Sequence, residues 1–168
     1  LRCGALASNS PVIKSIRDHA SRGGAILGIC NGFQILTETK LLPGTLIRNN
    51  VLKFLCHDLN VIVQDTLPSP FTWGFKPNTK LNIPIAHNEG NYYVNGIELK
   101  KLIFNGQIAF KYEENFNPNG SVENIAGVLS ENGRILGMMP HPERSVFSHH
   151  NSLDGRLFFQ NLIEQLLS

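Results

Sequence analysis

Ala25-Ile26-Leu27-Gly28-Ile29-Cys30-Asn31-Gly32-Phe33-Gln34 decides the fold, because an apolar run enters it and a helical pattern leaves it with a glycine-flanked cysteine at the corner. It reads as strand, sharp turn and helix. Glycine on each side of Cys30 removes the Cβ atoms that a tight backbone would crowd, so the sulfur is expected at the tip of a strained elbow. The amides at the start of the following helix point at that sulfur and favour its thiolate. A cysteine with this spacing alone is equally a buried core thiol.

The second informative stretch is Met138-Met139-Pro140-His141-Pro142-Glu143-Arg144-Ser145, which again ends an apolar strand. Pro142 disfavours helical geometry at His141. In an extended chain, residues two apart project to one side, which brings the Glu143 carboxylate to the His141 ring. One ring nitrogen then faces Glu143 and the other is free for Cys30. Thiol, imidazole and carboxylate in series make an activated nucleophile.

Around these stretches the chain alternates helices and strands. The spacing predicts a helix over 11–22 closed by Gly23-Gly24, a strand over 25–29 and the elbow helix over 31–39. Strands are expected over 45–47, 59–63, 81–86, 108–112, 125–129 and 135–139, the last two joined by the Glu131-Asn132-Gly133 turn. Helices are expected over 97–105 and 153–167. The pattern indicates an α/β fold, a three-layer, mostly parallel sheet flanked by helices, with an antiparallel flank.

The 168 residues, 42% hydrophobic, suit one domain over 1–168. A formal charge of +2 with scattered Lys and Arg gives no nucleic-acid footprint. No apolar run approaches the roughly twenty residues of a membrane-spanning helix. Three cysteines without metal-type pairing fit a reducing compartment, and a cytoplasmic location is expected. Cys3 and Cys56 are read as structural. His149-His150 reads as a solvated loop, since adjacent histidines do not converge on one ion; no metal site is expected.

The Gly-x-Cys-x-Gly elbow with Gln34, followed late in the chain by His-Pro-Glu, resembles the class I (triad) glutamine amidotransferases. Asn31 and Phe33 replace the Leu and His of most members. Cys30-Asn31-Gly32-Phe33-Gln34-Ile35-Leu36 is instead similar to the glutaminase subunits of phosphoribosylformylglycinamidine synthase. Further matches run through Leu1-Arg2-Cys3-Gly4-Ala5, Leu42-Pro43-Gly44, Leu52-Lys53-Phe54, Ile83 to Tyr92, Asn119-Gly120-Ser121, Ile125-Ala126-Gly127-Val128 and Asp154-Gly155. The resemblance implies a flavodoxin-like domain, truncated here at its N-terminus, whose missing part supplies the first strands and a Gly-rich loop forming half of an oxyanion hole. The Asn31 backbone N–H would form the other half.

The same resemblance implies hydrolysis of glutamine to glutamate and ammonia by Cys30, His141 and Glu143. Gln34, His87 and Gly90 would contact the substrate, the glycine by permitting close approach. The ammonia would pass to a synthetase subunit that makes phosphoribosylformylglycinamidine in purine biosynthesis, with a small third subunit in many such complexes. ATP and Mg2+ belong on that synthetase; this chain has no Gly-x-x-x-x-Gly-Lys-Ser/Thr loop and is expected to hold no cofactor. Arg48, Asn49, Arg144 and Ser145 occupy family-like positions without a physical role beyond loop packing or partner contact. Two rival readings remain: a stand-alone cysteine hydrolase of γ-glutamyl or peptide bonds, and a non-catalytic scaffold fragment.

Overall fold

The computed structural model describes residues 10–168, so Cys3 and the Leu1 to Ala5 match lie outside the described residues. The helices and strands follow in order: α1 (Val12–Ser21), β1 (Ile26–Ile29), α2 (Asn31–Glu38), β2 (Thr45–Ile47), β3 (Leu55–Val63), β4 (Lys80–His87), β5 (Asn91–Tyr93), α3 (Gly96–Phe104), β6 (Ile108–Tyr112), β7 (Ile125–Leu129), β8 (Ile135–Met138) and α4 (Asp154–Leu167). Six strands form one sheet in the order β1-β8-β7-β6-β3-β4, and β2 pairs with β5 in a separate antiparallel ribbon. β1 and β8 run parallel, and the antiparallel flank from β8 to β4 supplies the other pairings of this sheet among the described residues.

Side chains of β1 and β8 alternate between two cores. Ile26, Cys30, Ile135 and Met139 face one core with Phe33 and Leu36 of α2 and Leu102 of α3. Leu27, Ile29, Leu136 and Met138 face the other, with Phe158 and Leu162 of α4. Period-two alternation of apolar residues on both faces is what a strand covered by helices on each side requires. The result is the expected helix–sheet–helix layering.

Gly28 and Gly137 stand opposite each other in the β1–β8 register. A Cβ on Gly137 would lie 2.1 Å from the Phe33 ring, and one on Gly28 would lie 2.4 Å from Leu36 Cδ1. This paired absence of side chains lets α2 settle directly on the sheet. Phe33 fills the space and stacks on Tyr92, with ring centroids 5.5 Å apart. Gly32, read from sequence as the elbow's second obligatory glycine, has nothing within 4 Å of a built Cβ. Only the Gly28 side of the elbow is crowded.

Strand β4 is an edge, which tolerates Pro84 inside it. That edge is covered by the chain leaving β8: the His141 N–H donates to the Pro84 carbonyl at 2.8 Å, and the Asn82 N–H donates to Asp154 Oδ2 at 2.7 Å. The two outer strands of the sheet are also brought together, since Cys30 Sγ after β1 lies 3.8 Å from the Ala86 carbonyl of β4. Among the described residues no helix is long and apolar enough to cross a membrane.

Two elements depart from the sequence reading. β5 was not expected, and β3 begins at Leu55 rather than Leu59. The first half of β3 is largely exposed and carries no alternation, so its strand state comes from the ladder with β4 and not from its composition. Gly137→Ala should lower unfolding free energy by about 2 kcal/mol or more through overpacking against Phe33. Gly32→Ala, on a helix with open space, should leave it unchanged or raise it by up to about 1 kcal/mol. Urea unfolding of the two variants checks the pair.

Candidate active site

The elbow forms as the sequence implied. Cys30 has φ 51° and ψ −106°, a positive-φ conformation that a side-chain-bearing residue holds only at a cost. Its N–H donates to the Met138 carbonyl at 2.8 Å, extending the β1–β8 ladder by one rung, and its carbonyl accepts from the Gln34 N–H at 3.1 Å. Cys30 therefore sits between the last strand bond and the first helix bond. Asn31 opens α2, so its N–H belongs to the first turn, whose amides have no intrahelical acceptor.

His141 follows β8 and is 6% exposed. Its Nδ1 lies 2.6 Å from Glu143 Oε1, which fixes the proton on Nδ1 when the ring is neutral. Glu143 reaches the ring by a different route from the extended chain expected: His141 is non-helical, at φ −106° and ψ 80°, but Pro142–Arg144 form a 3-10 turn. The tight turn, capped by the Ser145 N–H donating to Pro142 O, swings Glu143 back under the ring. His141 Nε2 is buried without a hydrogen-bond partner. The thiol of Cys30 is its neighbour on that side and bears on its proton affinity.

Burial by itself would lower the His141 pKa. The nearby Cys30 thiol, the hydrogen bond with Glu143 and the charges of both groups outweigh it and raise the value to about 9. For Glu143, burial pushes upward, but the hydrogen bond and charge of His141, with Arg144 nearby, hold the carboxyl below the usual range. Arg144 Nε is 3.6 Å from the same Glu143 oxygen.

Cys30, Gln34, Phe54, Glu89, His141 and Arg144 line one cleft of about 520 Å³. Gln34 is 5% exposed and its Nε2 donates to Glu89 Oε2 at 3.1 Å. This places the elbow helix against the turn after β4.

His87 and Gly90 occupy that turn in another manner than expected. His87 borders the cleft, but its Nδ1 is 3.1 Å from Asn49 Oδ1 and its Nε2 is 3.5 Å from Asn119 Nδ2, so both nitrogens are engaged. Burial, followed by the charges of His141 and His57, lowers its pKa to about 4, only partly opposed by a backbone hydrogen bond. Gly90 does not border the cleft; a Cβ there would lie 2.4 Å from the His87 ring. The glycine makes room for the His87 ring.

Asn49, placed by sequence at a family-like position with no role beyond loop packing or partner contact, and Asn119, noted only within a family match, are both fully buried. Asparagines beside glycines and strand ends read as solvated turns, and nothing local marks these two as buried. Cys56, read as structural, is exposed on β3. His150 accepts from the Val146 and Phe147 N–H groups through Nδ1 and closes its own loop. Among the described residues no cluster of His, Cys, Asp or Glu could hold a metal ion.

A family model for the CobB/CobQ-like glutamine amidotransferase domain matches residues 3–160. The chain is 48% identical over 164 residues to the phosphoribosylformylglycinamidine synthase subunit PurQ of Bartonella henselae, covering 98% of this chain and 73% of that one. It is 47% identical to the corresponding subunit of a Jannaschia species over 100% of this chain and 74% of that one. Among solved structures, PurLQS from Thermotoga maritima superimposes with a TM-score of 0.86 at 40% identity, covering 99% of this chain and 73% of that chain. A GMP synthase-like protein of Thermoplasma acidophilum, at 21% identity and a TM-score of 0.56 over 91% of this chain and 61% of that chain, shares the fold alone. The chain belongs to the PurQ family of glutamine amidotransferases, the family of these phosphoribosylformylglycinamidine synthase subunits.

Proposed function

We propose that this chain is the glutaminase part of a phosphoribosylformylglycinamidine synthase, releasing ammonia from glutamine with Cys30 as nucleophile, His141 as proton carrier and Glu143 as its orienting carboxylate. The observation that carries the assignment is His141 held through Nδ1 by Glu143 while its other nitrogen, buried and unpartnered, faces the thiol of an elbow cysteine.

The steps follow from that geometry. His141 Nε2 takes the Cys30 proton, and the thiolate attacks the side-chain carbonyl carbon of glutamine; the carbonyl electron pair moves onto oxygen. The Asn31 N–H, at the positive end of α2, would receive that oxyanion. Collapse of the tetrahedral species breaks the C–N bond, and the imidazolium gives its proton to the departing amine, which leaves as ammonia. Water, deprotonated by His141, then cleaves the thioester to glutamate and restores the thiol. Glu143 stabilises the imidazolium at both protonated stages. Gln34 and Glu89 form the wall where the amino-acid end of glutamine would lie.

Ammonia formed here serves a synthetase only if the two are docked. The solved relative is an assembly called PurLQS, and we take the partners of this chain to be a synthetase subunit and a small third subunit of that kind. ATP and Mg2+ would act on the synthetase, with no cofactor held by this chain. A cytoplasmic site of action is supported by the free thiols of Cys30 and Cys56.

In the complete complex, Cys30→Ala should abolish glutamine-dependent synthesis and leave ammonia-dependent synthesis intact; loss of both in an assembled complex would contradict the nucleophile assignment. Glu143→Gln should lower glutamine-dependent kcat by about 10²-fold or more. Stability should also fall at both ends of the pH range. His87 is buried neutral, so its contribution is present above about pH 6.5 and is lost as pH falls toward 4. His141 is raised, so its pairing stabilises fully below about 6.5 and that contribution is lost as pH rises through 9. Urea unfolding across pH, with Glu143→Gln converging on the parent above pH 9, checks both signs.

A further inference from the structure

Asn49 is fully buried, and its side chain makes hydrogen bonds on both ends of its amide. Nδ2 donates to the carbonyls of Lys53 at 2.9 Å and His87 at 3.0 Å. Oδ1 accepts from the Gly90 N–H at 2.9 Å. These backbone partners have fixed roles, so the orientation of the amide is settled without reference to any side chain. Oδ1 is therefore the atom 3.1 Å from His87 Nδ1, and that nitrogen must carry the proton.

The opposite side of the ring gives the same answer independently. Asn119 Nδ2 donates to the Gly90 carbonyl at 2.8 Å, and Asn119 Oδ1 accepts from the Ser121 N–H at 3.1 Å, which fixes the second amide. The group 3.5 Å from His87 Nε2 is thus an amide nitrogen, which also donates to the Tyr112 hydroxyl at 3.2 Å, and a donor on this side favours Nε2 as the unprotonated nitrogen. A protonated ring would set donor against donor. The Asn49 oxygen puts a proton on Nδ1, and the Asn119 amide favours the neutral ring.

Asn49 also donates its own N–H to the Asn88 carbonyl at 2.9 Å. It thereby holds His87 at the end of β4 and Asn88 and Gly90 of the turn after it, four residues with Glu89. The fourth is Glu89, whose carboxylate meets Gln34 in the cleft. Through the Lys53 carbonyl the same side chain anchors the loop that carries Phe54 to the cleft and Leu52 at φ 55°. Both cleft walls outside the elbow and the His141 turn thus rest on one amide.

We propose that Asn49 is the positioning residue of this cleft: it locks His87 as the neutral Nδ1–H tautomer and holds the His87–Gly90 turn so that Glu89 meets Gln34 beside Cys30. The kinetic part of the proposal rests on the glutaminase reading; the tautomer does not. Asn49→Asp keeps the size and turns a donor facing two carbonyls into an acceptor, which should displace the turn.

The test uses the complete subunit with its synthetase for kinetics, and the complete labelled subunit for spectroscopy. Asn49→Asp should raise KM for glutamine about tenfold or more with a much smaller change in kcat. Alkylation of Cys30 by iodoacetamide should proceed at the parent rate, because His141 and Glu143 are untouched. An unchanged KM, or loss of alkylation in a folded variant, would overturn the proposal. Nitrogen-15 spectra of the parent protein at pH 7 should show His87 neutral and protonated on Nδ1; an Nε2–H tautomer or an imidazolium would overturn it even if the variant fails to fold. If the parent complex releases no ammonia from glutamine, the glutaminase reading fails while the His87 spectrum still decides the tautomer.

Discussion

The hydrogen bond from the Cys30 N–H to the Met138 carbonyl is the rung on which the site depends. It extends the parallel β1–β8 ladder by one step beyond the strands themselves. Parallel pairing puts the ends of both strands on the same side of the sheet, so the elbow after β1 and the histidine turn after β8 emerge together. More than a hundred residues separate Cys30 from His141 in sequence, and this rung removes that separation. The Gly28–Gly137 pair completes the arrangement by letting α2 descend onto the ladder, so that the helix starts directly after Cys30.

Two histidines close to the elbow are given opposite proton affinities by what surrounds them. Burial disfavours the charged form of each. His141 has a carboxylate on one nitrogen and a thiol near the other, and these hold its proton. His87 has a carbonyl oxygen of one amide and the amino group of another, which together favour the neutral ring. The division suits His141 to proton transfer in the proposed reaction and leaves His87 as part of the frame. It also keeps a second positive charge away from the imidazolium that forms during turnover.

The elbow and the His-Pro-Glu motif were legible in sequence because each is a local string whose backbone consequences are local. The α/β class and the antiparallel flank were legible from alternation and from the Glu131-Asn132-Gly133 turn. What escaped was decided by contacts across the fold. β5 is three residues long and exists because β2 lies beside it. That the absence of a side chain at Gly90 leaves room for the His87 ring is set by contact across the turn and not by the string. Asn49 was left without a role beyond loop packing or partner contact, because its partners at His87 and Gly90 lie some forty residues away in the chain. Glu143 arrives at His141 through a 3-10 turn, a geometry that Pro142 permits but the string does not specify.

The most direct test of the account is to treat the complete synthase with a diazoketone analogue of glutamine and locate the adduct by peptide mapping. The thiolate at the elbow should attack the analogue and carry its whole carbon chain, with Glu143→Gln slowing the labelling and Cys56, the exposed thiol, left unmodified. A labelled Cys56 with Cys30 unmodified in the assembled enzyme would contradict the central claim that the β1–β8 rung builds a nucleophile.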